Sequence, residues 1–314
     1  MPRYLGNIVQ KTVKSAVRFT GVGLHTGVPV TMTIHPAWAD FGIWFCRSDI
    51  LIGDAVIPAR WDVVEQTPLC TRLINAAGAS VSTVEHVMAA LAGTGVHNAL
   101  IEIDGPEVPI LDGSSAQFVR GILEAGLVAQ SKNVRAIEIL KPVTVSRDGA
   151  TATLAPSNGL KIDFHIDFED EAIGVQDKSL AMANGSFVRE LCDSRTFCRK
   201  SDVDAMHANG LALGGTLENA VVVDGDDILS PGGLRHNDEA VRHKMLDALG
   251  DLYLAGAPIL GKYTGVRAGH ALTNALLRAL FMTPGAFRIV ECDAETAARL
   301  PGAGVHLAEI PAVA

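Results

Sequence analysis

The sequence is poor in aromatic residues, has no cysteine pairs and lacks long apolar runs. Aromatics make up only 5% of the 314 residues while 48% are hydrophobic, so the core is expected to be mainly aliphatic and disorder is not expected. The five cysteines, Cys46, Cys70, Cys192, Cys198 and Cys292, are odd in number and show no CxxC spacing. That excludes a disulfide framework and a cysteine-rich zinc site as first expectations, and it fits a reducing cytoplasm. No uninterrupted apolar stretch is long enough to cross a bilayer, and Met1 to Ser15 is broken by Lys11 and Lys14 where a signal core would be apolar. Basic residues number 26 against 35 acidic, a net charge of −9, which disfavours a nucleic-acid surface but leaves room for a local basic pocket around one phosphate. Two catalytic signatures are also missing. Gly113-Ser114-Ser115 lacks the G-x-S-x-G nucleophile elbow. Gly21 to Gly27 lacks the G-x-G-x-x-G order and precedes a strand pattern, so a dinucleotide site is a poor reading there.

The patterns present are those of an α+β protein. Val28 to Ile34 alternates as a strand, with Pro29 marking its start or an edge position. A helix is expected from about Thr83 to Ala92, with Ser82 and Glu85 at capping-box spacing and Gly93 and Gly95 as stops. A strand at Asn98–Asp104, a turn-rich stretch at Gly105–Ser114 and a helix from about Ser115 to Leu127 follow. The second half repeats this order, with a helix at Asp238–Ala255, a strand at Pro258–Val266, a turn ending at Gly269 and a helix at Ala271–Phe281. The repetition suggests duplication. The polar stretch Ser131-Lys132-Asn133 is the expected boundary, giving units of 1–130 and 131–314.

Among ten histidines, three sit where they could act together: His86, His243 and His270. His243 and Asp247 are one helical turn apart on one face, and Asp251 continues that face. An imidazole and a carboxylate so placed can share a metal ion, and a His/carboxylate set with one open position is a catalytic zinc pattern. The same spacing also suits a solvated His–Asp pair. His86 is the candidate third ligand, and Glu85 beside it is either the base that deprotonates a water or the partner of Ser82 in a capping box. His270, in a glycine-bracketed turn, is a candidate proton donor that Asp251 would keep cationic, or else a surface histidine. His35, His97, His165, His207, His236 and His306 read as structural or surface residues.

Several motifs, taken together and in order, resemble the UDP-3-O-acyl-N-acetylglucosamine deacetylases. They are Gly21 to Gly27, Ser82-Thr83-Val84-Glu85-His86, Pro109 to Ser114, Arg195-Thr196-Phe197, the Val241 to Asp251 helix and Gly269-His270-Ala271. The resemblance runs from about Val13 to Leu307. It implies two similar α+β domains, each a small sheet with helices and an insert, with the helices packed between the two sheets. It implies zinc held by His86, His243 and Asp247, and iron(II) is the other ion that such a set accepts. It also implies Glu85 as base, His270 as acid with Asp251 beside it, and Thr196 as the hydroxyl that stabilises the oxyanion. Phe197 and Lys244, and with them Asp167 and Phe168, fall at substrate-contacting positions, and Cys70 falls near the metal without being a required ligand. The implied reaction is hydrolysis of the N-acetyl group of an acylated UDP-sugar in lipid A biosynthesis, by a cytoplasmic monomer with no nucleic-acid partner. For the acyl chain, the second insert, placed at about Ile173–Ser186, and the run Ala220–Val223 are the candidates. Asp170-Glu171 stands where the family often has His-Pro, and Ala150-Thr151 follows Asp148-Gly149 where a lysine is frequent, so nucleotide and phosphate contacts are in question. Two other expectations compete: a zinc amidase of different acyl specificity, and a non-catalytic sugar-nucleotide-binding protein.

Overall fold

The computed structural model describes residues 8–67 and 69–312. Seven α-helices lie among them: α1 (Glu85–Thr94), α2 (Ala116–Ala125), α3 (Ser186–Glu190), α4 (Lys200–Ala208), α5 (Glu239–Tyr253), α6 (His270–Met282) and α7 (Ala294–Ala297). The helices expected at residues 83–92, 115–127, 238–255 and 271–281 are α1, α2, α5 and α6, each displaced by two residues or fewer at either end.

Two main sheets share one wiring. In the first, strands run in the order Val17–Val22, Pro29–Pro36, Ala99–Ile103, Ile43–Arg47, Val56–Pro58. The strand Ala99–Ile103 is antiparallel to Pro29–Pro36 and parallel to Ile43–Arg47. In the second, Ile259–Val266 takes the same place, antiparallel to Ala150–Pro156 and parallel to Lys161–Asp167. Outer hairpin partners, Val143–Arg147 and Val175–Ala181, complete the match. The second sheet also gains Arg135–Ile139 and Phe287–Glu291 beside the start of Ile259–Val266. Each central strand is preceded and followed by a helix, so the protein is α+β with the helix–strand–helix unit used twice. Pro29 begins its strand, which is internal to the sheet and not an edge.

The stretch 131–133 closes the strand Leu127–Asn133, which pairs with Val9–Val13. One expectation changes, because the segment at 173–186 is not an insert. Val175–Ala181 is a strand of the second main sheet, and its alternating exposure follows from its polar sequence, Val-Gln-Asp-Lys-Ser-Leu-Ala. The separate small sheet of this half is built instead from Phe197–Arg199, Val221–Asp224 and Asp227–Ile228, with α4 beside it. A corresponding small sheet in the first half comprises Val64–Glu65, Arg72–Ile74 and Ser80–Val81.

Helices α1, α2, α5 and α6 pack against one another and against the two main sheets. α2 packs on the strand Val17–Val22, where Phe118 meets Phe19 edge to face with ring centres 4.9 Å apart, while α6 packs on Val143–Arg147 and Ala150–Pro156. α1 is buried along its whole length and packs against α5. That crossing is tight at Gly250, where an added Cβ would lie 2.0 Å from the Glu85 carbonyl oxygen and 3.1 Å from the Ala89 nitrogen. Gly250 therefore lets the two helix backbones touch, and it brings the first turn of α1 against the face of α5 that carries His243 and Asp247. Glycine within a helix normally costs about 1 kcal/mol relative to alanine. Gly250→Ala is expected to reverse that sign and destabilise by about 1–3 kcal/mol through overpacking. Urea unfolding with an unchanged m-value measures this, and a gain in stability would show that the helices can separate without cost.

Candidate metal centre and active site

The α1–α5 crossing brings together His86, from the first turn of α1, and His243 and Asp247, one turn apart on α5. All three are buried, and one donor atom of each lies within 4.8 Å of the others. The Asp247 Oδ1 atom is 3.2 Å from His243 Nε2 and 3.6 Å from His86 Nε2. The two imidazole rings meet edge to face, with centres 5.0 Å apart. His243 Nδ1 donates to the Ser194 carbonyl at 3.0 Å, which leaves the Nε2 lone pair facing His86 and Asp247. Asp247 Oδ2 accepts from Lys244 Nζ at 3.1 Å, whereas buried Oδ1 has no hydrogen-bond partner. A buried carboxylate oxygen without a donor is costly. Two imidazole nitrogens converging on it form a donor set that fits a divalent cation of the zinc type.

Charge in this enclosed space is strongly tuned. Burial works against the Asp247 carboxylate, but His243, Lys244 and His270 outweigh it and hold its pKa well below the usual carboxylate range. Burial pushes His86 down, so it stays neutral, as a ligand must be. Glu85 is pushed up to about 8, mainly by burial, with His270 opposing and Asp251 and Asp247 adding to the rise. A cation at the three ligands would favour the Glu85 carboxylate. His270 goes the other way. Burial disfavours its charge, but Asp251, Glu85 and Asp247 prevail and raise it to about 9. Its Nδ1 bonds Asp251 Oδ2 at 2.9 Å, and its Nε2 faces Glu85 Oε1 at 3.7 Å and Asp247 Oδ2 at 3.9 Å. The arrangement thus sets a carboxylate and an imidazolium beside one cation-binding set, the components of acid–base chemistry on a polarised bond.

The capping box does not form. Val84 precedes the first turn of α1 with no side-chain cap, and Glu85 Oε2 instead accepts the Thr71 backbone N–H at 3.0 Å. Thr71 also donates its hydroxyl to Asp251 Oδ1, so one residue fixes both Glu85 and the carboxylate behind His270. Cys70 is no member of the donor set. Burial, reinforced by Glu85, pushes its thiol up to about 12 and keeps it protonated. Thr196 lies between Ser194, whose carbonyl meets His243, and Phe197, whose ring centre is 6.4 Å from the His243 ring. Phe168 packs edge to face on Phe197 at 5.5 Å, and exposed Asp167 ends its strand just before it. Lys244 is turned inward onto Asp247.

Other residues at the site had no local signature. Arg195 and Glu239 form a buried ion pair, with Arg195 Nε 2.9 Å from Glu239 Oε1. Glu239 also accepts the backbone N–H groups of Arg195 and Arg235, so the pair pins the segment carrying Ser194 and Thr196 to the start of α5. His25 was overlooked, although it stands inside the glycine motif. Burial lowers its pKa, with Glu107 opposing and His270 adding to the fall, and both its ring nitrogens are buried without a partner.

A sequence profile described as UDP-3-O-acyl N-acetylglycosamine deacetylase matches residues 10–282. A protein of Phenylobacterium zucineum (strain HLK1) is 50% identical over 280 residues, covering 89% of this chain and 96% of its own. One of Anaeromyxobacter sp. (strain Fw109-5) is 47% identical over 294 residues, covering 93% and 95%. One of Shewanella frigidimarina (strain NCIMB 400) is 44% identical over 307 residues, covering 96% and 100%. All three relatives carry the name UDP-3-O-acyl-N-acetylglucosamine deacetylase.

The His270–Asp251 pair makes a direct prediction. In the metal-free protein, NMR titration is expected to show His270 changing charge near pH 9. In Asp251→Asn the carboxylate that favours the imidazolium is gone, so the midpoint is expected to fall toward the ordinary histidine range. An unchanged midpoint would show that Asp251 does not set the charge of His270.

Proposed function

The chain belongs to the UDP-3-O-acyl N-acetylglycosamine deacetylase family and is a hydrolase, and from that premise we propose that it removes the N-acetyl group of UDP-3-O-acyl-N-acetylglucosamine, yielding UDP-3-O-acyl-glucosamine and acetate in lipid A synthesis. The observation that carries this is the buried set His86, His243 and Asp247, with Glu85 and His270 within reach of it. Zinc is the proposed ion, with iron(II) as the alternative the same donors accept. When bound there, the ion would supply Lewis-acid chemistry toward a water and the acetamide carbonyl.

The protein's own groups supply the rest. Glu85, held by Thr71, takes the proton from the attacking water. The Thr196 hydroxyl donates to the carbonyl oxygen as it gains charge, and so favours the tetrahedral geometry over the planar amide. His270, kept protonated by Asp251, delivers a proton to the departing nitrogen, which leaves as a neutral amine. Asp251 orients and does not itself transfer the proton. This assignment predicts an alkaline limb governed by His270, with activity falling as the imidazolium loses its proton, at a pH below the value of about 9 for the protein without an ion, because a cation at the ligands disfavours a second positive charge.

For the substrate, Phe197 and Phe168 offer an aromatic wall beside the ligands, and Asp167 lies at its rim. Lys244 would have to leave Asp247 to reach a phosphate. The two stretches considered for the acyl chain converge: Ile173, Val221 and Val223, with Phe197, line one cleft of about 10 Å³, mainly apolar but bordered by Arg195 and Glu239. That volume holds roughly one water, so an acyl chain there requires the small sheet of the second half to move. Among the described residues no helix is long and apolar enough to cross a membrane. A monomer acting in the cytoplasm on an acylated sugar nucleotide is the proposed setting. The division into related units at 1–130 and 131–314 is proposed on the shared wiring of the two sheets.

The test is release of free amine from UDP-3-O-acyl-N-acetylglucosamine and from free N-acetylglucosamine. Turnover of the acylated nucleotide is expected to exceed that of the free sugar by orders of magnitude. It is expected to vanish on metal removal and return with zinc. Equal turnover of both would assign a different amidase specificity. No turnover by the folded, zinc-loaded protein would assign a binding role.

A further inference from the structure

Glu107 is a buried carboxylate that the chemistry above does not use, with 1% of its surface exposed. It accepts four hydrogen-bond donors from two distant segments. From the glycine loop come the His25 N–H at 2.9 Å, the Thr26 N–H at 2.9 Å and the Thr26 hydroxyl at 2.8 Å. From the approach to α1 comes the Thr83 hydroxyl at 2.7 Å. The loop is shaped around this carboxylate, since a Cβ on Gly23 would lie 2.4 Å from Glu107 Oε2. Its other side is held by the second half of the chain, where Leu213 and Gly214 donate backbone N–H groups to the His25 and Leu24 carbonyls.

Thr83 is the unusual member. Its φ is +58°, a left-handed conformation that a β-branched side chain adopts only at a cost. It stands between the strand Ser80–Val81 and α1, two residues before Glu85 and three before His86. This turn sends the chain into α1 with both side chains directed at α5. A residue with smaller steric demand would turn there more easily. A hydroxyl at this position, however, reaches Glu107, and that bond offsets the strain and fixes the turn.

We infer that Glu107 and Thr83 form a positioning pair that sets where Glu85 and His86 stand relative to His243 and Asp247, and that the same carboxylate ties the loop bearing His25 to that turn. Neither residue touches the metal set. Their effect passes through the backbone of the turn. The inference rests on the metal site proposed above but not on the substrate, so the primary readout is metal retention.

The experiment compares native protein with Thr83→Val, Thr83→Ser and Glu107→Gln, measuring zinc affinity by competition with a chelator, thermal stability, and kcat and KM on the acylated nucleotide. Valine keeps the branching and the strained turn but removes the donor. Thr83→Val is expected to weaken zinc binding about tenfold, the lower end of the loss when a group bonded directly to a ligand is removed, and to lower kcat with KM nearly unchanged. Thr83→Ser keeps the donor and is expected to recover most of both losses. Glu107→Gln offers one acceptor oxygen in place of two and is expected to resemble Thr83→Val. If Glu107→Gln does not fold, the Thr83 pair decides alone. Native zinc affinity and kcat in folded Thr83→Val, or equal impairment in Thr83→Ser, would overturn the inference. Failure of the native protein itself to bind zinc would instead reject the metal site.

Discussion

The site is made from both halves of the chain, and what joins those halves is the crossing of α1 and α5, where the backbone of Gly250 lies against the Glu85 carbonyl. A side chain there would hold the helices apart. The donor atoms of His86, His243 and Asp247 are within 4.8 Å of one another, so even a small separation would open the set. Coordination chemistry tolerates little such drift, because ligand distances to zinc fall within a few tenths of an ångström. The helix contact is therefore a requirement of the proposed chemistry as well as of the packing.

Around that crossing the interior carries an unusual load of charge, and nearly all of it is answered locally. Asp251 is met by His270 and Thr71, Glu239 by Arg195, Glu85 by Thr71, and Glu107 by the glycine loop and Thr83. Each of these contacts joins segments far apart in sequence. In a dry environment an unanswered polar atom is expensive, so such a network also fixes one arrangement of the backbone. Asp247 Oδ1, Ser194 Oγ and the His25 ring nitrogens are buried polar atoms without protein partners against this background. Asp247 Oδ1 lies where the proposed cation would meet the protein.

Much of this was legible in the residues. The i,i+4 spacing of His243, Asp247 and Asp251 marked one candidate face of a helix, and all three are buried on α5, while the helix–strand–helix repetition foreshadowed two sheets of one wiring. His86 could be named from the residues as a candidate third ligand, but no local spacing ties it to His243 and Asp247, and the family resemblance supplied that link. The capping box at Ser82–Glu85 misled because spacing cannot tell which donor a carboxylate will meet, and the Thr71 N–H won it. The insert was misplaced because an edge strand with alternating polar residues, Val175–Ala181, resembles a surface excursion. Thr71, Ser194, Glu239 and Glu107 stayed invisible for a common reason: their partners lie many positions away and leave no local period.

The most direct test of the account is X-ray absorption at the zinc edge of the loaded protein. The structure predicts only nitrogen and oxygen neighbours, including two imidazoles, with no sulfur, since Cys70 stands outside the donor set as a protonated thiol. Zinc–nitrogen and zinc–oxygen distances near 2.0–2.2 Å would agree with it. A sulfur neighbour at about 2.3 Å, or loss of the imidazole signature, would contradict it. In that case the ion would lie elsewhere than at the α1–α5 crossing.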